Sequence, residues 1–133
     1  MAKLIEEISS YLVAQGIKGS DNATALIEGT SIFLGIQPSE PKECLTIYDT
    51  GGLKPEIDMA ISNPTIQIIA RATEYEEAKT LAMNAYNILH RLMNTNLGDN
   101  YVYFCNAQQE PGDIGRDDND NFEISCNYLL KIR

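Results

Sequence analysis

The acidic segment 110–121 carries the residue types best suited to chemistry in this chain. Hard oxygen ligands for Ca²⁺ or Mg²⁺ are supplied there and just beyond it by Asp113, Asp117, Asp118, Asn119, Asp120 and Glu123. Counted from Asp117, the spacing begins like a calcium loop. Its sixth position is Phe122, where such a loop needs glycine, and its twelfth is Tyr128, where it needs an acid. The sequence therefore favours a solvated, acidic loop over a calcium site.

Catalytic constellations are sparse elsewhere. The chain has a single histidine, His90, and no Gly-x-Ser-x-Gly motif that would supply a nucleophilic serine for it. The pair Gly51-Gly52 is not followed by the Lys-Ser/Thr of a phosphate-binding loop. The three cysteines are odd in number and far apart, so neither a zinc site nor a disulfide framework is predicted. We predict a protein that is not an enzyme and has no cofactor or metal. The remote alternative is a metal-dependent hydrolase that uses Asp113, Asp117 and Asp120 as ligands.

Length and charge narrow the function further. At 133 residues with 44% apolar residues, the chain is expected to fold as a single domain over residues 1–133. A formal charge of −9 argues against gripping nucleic acid, although an acidic surface could line a path along which DNA passes without sticking. No apolar run approaches the length of a membrane span, and acids near the start argue against a signal peptide. The sequence thus predicts a protein that is made in the cytoplasm and is not inserted into a membrane.

A strand followed by a long helix organises the chain. From Pro64 to Ala72 apolar residues alternate with Gln67 and Arg71, which is typical of a strand with one buried face. Apolar residues from Ala78 to Leu92 then recur at helical spacing, and Thr73 to Glu76 fits a capping box. We expect this helix to end in the turn-rich residues 94–100.

The first half of the chain adds a helix and two strands. Helical spacing predicts a helix over 2–15, ended by Gly16. Residues 17–30 are predicted to be a loop, 31–36 a strand, and 43–49 a second strand broken by Thr50-Gly51-Gly52. An exposed loop over the irregular segment 53–63 would be unusual for a monomer, so its apolar side chains are expected either to pack locally or to meet a partner: Leu53, Ile57, Met59 and Ile61.

Two further strands are predicted after the second helix. In 101–108, Tyr101, Tyr103 and Cys105 are expected on the face opposite Val102, Phe104 and Asn106. The segment 122–132 alternates most cleanly, and the two strands should form an antiparallel hairpin. The predicted fold class is α+β: a four- to five-stranded mixed, mostly antiparallel sheet with two helices packed on one face.

Two basic residues stand out among the acids. Arg116 lies inside the acidic run, where it could form an internal salt bridge or bond to a carboxylate of a neighbouring subunit. Arg71 has no partner that spacing identifies. We name a candidate set of interface residues: Tyr48, Asp49, Leu53, Ile57, Met59, Arg71, Arg116 and Asp117. The candidate lining of a passage for DNA is the acidic loop with Asp113, Asp117, Asp118 and Asp120.

Several segments in a fixed order resemble a known family. They are Ile47–Gly52, Pro64–Ala72, Tyr75–Ala78, Gln109–Pro111, Ile114–Asp117, and Asn127-Tyr128 before Arg133. In order and spacing they resemble the minor capsid or tail terminator proteins of long-tailed bacteriophages, over about residues 5–133.

The resemblance implies a structural role in the virion. Such proteins form a six-membered ring at the head-proximal end of the tail tube, stop tube polymerisation and join the tail to the head connector, while DNA passes through the lumen. The partners implied are further copies of the chain, the tube protein and connector or neck proteins. A head-completion or tail-tube subunit is the alternative position, which the sequence does not separate.

Overall fold

The computed structural model describes residues 2–54 and 61–133. Within them lie two helices, α1 (Ala2–Ala14) and α2 (Tyr75–Leu89). The strands, in chain order, are β1 (Ile32–Leu34), β2 (Cys44–Leu53), β3 (Asn63–Ala72), β4 (Leu92–Leu97), β5 (Asn100–Ala107), β6 (Gly112–Arg116) and β7 (Phe122–Ile132). No helix in these ranges is long and apolar enough to cross a membrane.

All seven strands join one mixed sheet in the order β1-β2-β3-β7-β5-β4, with β6 also paired to β7. Among the strands that the structure describes, only β1 and β2 pair in parallel. The α+β class and the antiparallel pairing of β5 with β7 are confirmed, but the two strands do not form a simple hairpin, because β6 lies between them in the chain and also pairs with β7. The expected count of four to five strands is wrong, because β4 and β6 were not predicted.

The core lies between the helices and one face of the sheet, here called the inner face. Registered pairs place Leu45, Ala70 and Ile124 side by side on this face, and Ile47, Ile68 and Cys126 form the next row. These residues are buried in one cluster with residues of both helices, such as Ile8 and Leu81. Both helices therefore pack on the same face, as predicted.

The end of α1 follows from Gly16. Its φ of 75° is left-handed, and its N–H donates to Val13 O while Ile17 N–H donates to Leu12 O. These two bonds satisfy carbonyls at the end of the helix in a Schellman arrangement. After this turn the chain runs back towards the core, where the Ile17 side chain is buried.

The boundaries of α2 differ from prediction at both ends. The capping box is wrong: β3 stays paired as far as Ala72, so the helix begins only at Tyr75, and its N-cap Glu74 makes no side-chain capping bond. At the other end, Arg91 takes a φ of 68° and reverses the chain. Leu92, expected on the helix, therefore pairs with Cys105 at the start of β4.

The glycine pair does not break β2. A register shift between Asp49 and Gly52 marks a bulge, after which Gly52 pairs with Pro64 and Leu53 with Asn63. Gly52 has a φ of 146°, and a Cβ there would lie 2.5 Å from Asn63 O. Glycine is thus required for β2 to continue past the bulge.

The acidic segment 110–121 is only partly a loop. The strand β5 pairs with the second half of β7, which leaves the edge of its first half open. Residues of β6 fill that edge, with Gly112 opposite Ser125 and Arg116 opposite Phe122. Alternation is hidden in this segment because both of its glycines lie in the strand and a bulge interrupts it.

Candidate assembly surfaces

The turn between β6 and β7 is built around Asp117. Its Oδ1 accepts hydrogen bonds from the N–H groups of Asn119 and Asn121, and its Oδ2 accepts one from the Asn121 side chain. Burial alone would raise the pKa of Asp117, but these bonds and the Arg71 guanidinium hold it below its ordinary value. Asp117 was a candidate both for the interface and for the lining of a passage for DNA. In the structure its carboxylate orders its own turn.

Arg116 forms an internal salt bridge, which is one of the two alternatives that the sequence left open. Its guanidinium forms a 3.0 Å ion pair with Asp120 and lies 4.3 Å from the centre of the Phe122 ring. Phe122 in turn meets Tyr75 of α2 edge to face at 6.0 Å. These contacts make the turn and the start of α2 one continuous surface, while Arg116 stays half exposed.

The remaining acids of the segment do not gather around a metal position. Asp113 accepts the Gly115 N–H at 2.7 Å and Asp118 is exposed. Within residues 2–54 and 61–133, no group of three or more His, Cys, Asp or Glu side chains is placed to hold an ion. The hydrolase alternative therefore has no ligand set in the part of the chain that the structure describes.

Arg71 is buried, not placed at the surface. It is 3% exposed on the outer face of the sheet, which is the face away from the helices. Its Nε donates to Lys42 O at 3.0 Å and one terminal nitrogen donates to Pro41 O at 2.6 Å. The other lies 3.7 Å from Asp117. The guanidinium thus ties two loops to the sheet and is used inside the subunit, so we leave it out of the proposed interface.

The segment 36–43, called the strap, covers this end of the outer face. Besides its two carbonyl contacts with Arg71, it is held by Gln37, whose side-chain amide donates to Glu123 at 2.5 Å. Tyr48 lies half-buried nearby. Burial raises the pKa of Tyr48, and the neighbouring Glu123 carboxylate raises it further. Tyr48 therefore offers a partner only part of its surface.

The far end of β2 is more open. Asp49 is exposed and accepts the Gly51 N–H at 2.9 Å, which lowers its pKa. Leu53 is 59% exposed beside a groove of about 530 Å³. The groove is lined by Leu4, Asp49, Gly51, Gly52, Leu53, Ser62, Asn63, Pro64, Asn100 and Ile132. Ile57 and Met59 lie outside the described residues.

Sequence reasoning missed a surface on the outer face of β4, β5 and β7. Between Val102 and Phe104 the register of β5 against β7 shifts by one residue. The expected division of faces is wrong here: Cys105 and Val102 are both buried in the core, and Tyr103 is not opposed to Phe104. Tyr103 instead lies 5.1 Å from the Tyr101 ring. The bulge is the reason, because its extra residue resets the alternation.

We call this surface the aromatic–basic face, and it consists of Met93, Tyr101, Tyr103, Phe104, Lys131 and Arg133. Met93, Phe104 and Lys131 form one row across three strands. Arg133 exchanges backbone bonds with Tyr101, and its guanidinium donates to the Tyr103 hydroxyl at 3.4 Å. The only sign of this surface in the sequence is the high density of Tyr and Phe in residues 101–104. Strand alternation alone places these aromatic residues on two opposite faces.

The other reactive side chains are absorbed by packing. His90 Nδ1 accepts the Ala107 N–H at 3.1 Å, and its ring stacks on Tyr86 at 4.7 Å. Burial raises the pKa of all three cysteine thiols, that of Cys105 to about 12, which keeps them protonated. No nucleophile–base pair is formed by these residues.

A comparison with known protein families gives a match over most of the chain. The family model described as bacteriophage tail terminator protein matches residues 16–133, which is all but the first fifteen residues. The matched part contains every strand and α2. A search of curated proteins finds no match to this chain.

Proposed function

Because this chain belongs to the bacteriophage tail terminator family, we propose that it ends the growth of the tail tube as a six-membered ring and joins the tail to the head connector. Membership itself indicates a structural protein of the phage tail, and so a place in the virion. The ring, its position at the head-proximal end and the joining step are the proposal. The family match over nearly the whole fold carries it.

The chemistry of the site agrees with an assembly role. Groups that could act in catalysis are engaged in holding the fold: Asp117 orders a turn, Arg71 ties down the strap, and His90 accepts a backbone N–H. What the described chain presents to solvent instead is a set of surfaces with different character, which a ring subunit needs for its neighbours, the tube and the connector.

We assign the acids of the β6–β7 region to the passage for DNA. Asp113, Asp118 and Asp120 are all exposed, and like charge would keep DNA from binding as it moves through the ring. The open end of β2, with Asp49 and Leu53 beside the groove, is assigned to a contact with the tube or the connector. Such a contact would bury Leu53, which stands exposed in the single subunit.

Tail length tests the termination step. A phage carrying a nonsense mutation in the gene for this chain is expected to make tubes of uncontrolled length that do not attach to filled heads, because nothing caps the growing end. Electron microscopy of lysates measures both, and wild-type chain supplied from a plasmid should restore normal tails. Tails of normal length joined to heads in the mutant would contradict the proposal.

A further inference from the structure

The aromatic–basic face has the composition of a protein interface. Tyr, Phe, Met and Arg are the residue types enriched where proteins bind one another, and Asp and Glu are depleted there. Its six residues include two basic side chains and no acidic side chain, in a chain of formal charge −9. Met93 is 62% exposed, and Asp99 lies at the rim. A partner for this face therefore needs negative charge together with apolar or aromatic surface.

A recess within the face offers a place for an anchoring side chain. It has a volume of about 390 Å³ and is lined by Asn96, Asp99, Tyr101, Tyr103 and Arg133. The two tyrosine rings stand edge to face, and the guanidinium lies at the Tyr103 hydroxyl. Aromatic rings and a guanidinium together suit an inserted aromatic ring, through edge contacts and cation–π attraction.

The complementary surface is present on the same chain, at the first turn of α2. Glu74, Glu76 and Glu77 are exposed there around Tyr75, which is 42% exposed. The cation one turn further on, Lys79, donates to Pro111 O at 2.7 Å. This turn, called the acidic turn, thus combines three carboxylates with an aromatic side chain.

One subunit cannot join these two surfaces within itself. The acidic turn packs on Phe122, at the start of β7, and the aromatic–basic face includes Arg133, just past its end. Eleven residues of extended strand separate them, which is roughly 33 Å. Complementary surfaces at opposite ends of one chain make a head-to-tail contact between copies, the type of contact that closes into rings.

We propose that the aromatic–basic face of one copy binds the acidic turn of the next copy, with Tyr75 seated in the recess beside Tyr103 and Arg133. This inference rests on the proposed ring and names the contact that builds it. The acids assigned to the passage, Asp118 and Asp120, then lie next to the contact, since Phe122 joins the β6–β7 turn to Tyr75.

Charge reversal on each surface tests the contact. One variant carries Lys131→Glu with Arg133→Glu, and the other carries Glu76→Lys with Glu77→Lys. Each alone should associate at least about tenfold more weakly than the wild-type chain in sedimentation velocity, because like charges now face each other. An equal mixture of the two should recover assembly, since every contact in an alternating ring of six is again between opposite charges. A chain carrying all four substitutions should also recover it.

Matched controls reverse exposed or half-exposed charges elsewhere: Lys18→Glu with Lys42→Glu, and Glu6→Lys with Glu40→Lys. They should assemble like the wild-type chain, and circular dichroism should show all variants folded. Variants that assemble normally, or a mixture that does not recover, would overturn the contact and leave the ring itself standing. A wild-type chain that stays monomeric at about 100 µM would also overturn it, while the tail-length experiment would still decide the proposed function.

A second arm separates nucleic acid from protein as the partner. If the aromatic–basic face served DNA, the variant with Lys131→Glu and Arg133→Glu would lose binding to a DNA duplex in a gel-shift assay and would self-associate normally. We expect no duplex binding by the wild-type chain at physiological salt. Duplex binding lost in this variant, with unchanged assembly, would contradict the proposed contact.

Discussion

Replacing Arg71 with alanine is expected to lower the free energy of unfolding by about 3–5 kcal/mol. The guanidinium is 3% exposed and serves Pro41 O, Lys42 O and Asp117 at once. Its removal leaves two carbonyls without their donor and the Asp117 carboxylate, whose side chain is 16% exposed, without its nearby cation. Urea denaturation followed by circular dichroism measures the change.

The surface arginine next to the same turn supplies the control. Arg116 is 51% exposed and pairs with Asp120, which is more exposed still, so Arg116→Ala should change stability by no more than about 0.5 kcal/mol. Arg71→Lys keeps the charge but cannot reach three acceptors with a planar fork, and it should fall between the two. Equal effects of Arg71→Ala and Arg116→Ala would contradict the role given to the buried guanidinium.

Leu89→Ala is expected to cost about 2–5 kcal/mol, because the side chain is fully buried at the end of α2 and its loss leaves a cavity. Thermal and urea unfolding give the value. On the same helical turn, Asn87 is exposed, and Asn87→Ala should be neutral or slightly stabilising because alanine favours the helix. A cost near zero for Leu89→Ala would mean that α2 does not pack as described.

The elements that could be predicted from sequence are those where one pattern dominates. The alternation of 122–132 and the helical stripe from Ala78 to Leu89 identify β7 and α2, since each buries one face against the core. Gly16 correctly marks the end of α1. Leu92 misled because it lies on the helical stripe and is also partly buried in the sheet, and only the left-handed turn at Arg91 decides between the two.

The surfaces were harder to predict because they depend on pairing between distant segments. Arg71 alternates with apolar residues and so was named as a candidate interface residue, but the strap and the β6–β7 turn come from elsewhere in the chain and bury it. The strand β6 has no pattern of its own and exists because β7 leaves an edge unpaired. The aromatic–basic face depends on a single bulge in β5, and no pattern in the local sequence predicts that bulge.

The acidic residues differ in role according to their position in the structure, which net charge alone does not reveal. Asp117 is fixed by three hydrogen bonds and holds the turn, whereas Glu76 and Glu77 sit exposed at the positive end of a helix. Net charge alone gave all of them one role, avoidance of DNA. The structure shows Asp117 ordering a turn, and we propose two further roles for the others, facing a passage and binding the neighbouring subunit.

The location and number of copies in the virion test the central claim most directly. A cryo-EM reconstruction of the neck of the phage that encodes this chain should show six copies in one closed ring, between the last ring of tube subunits and the head connector, with DNA in the lumen. Copies distributed along the whole tube, or found only in the head, would contradict the account.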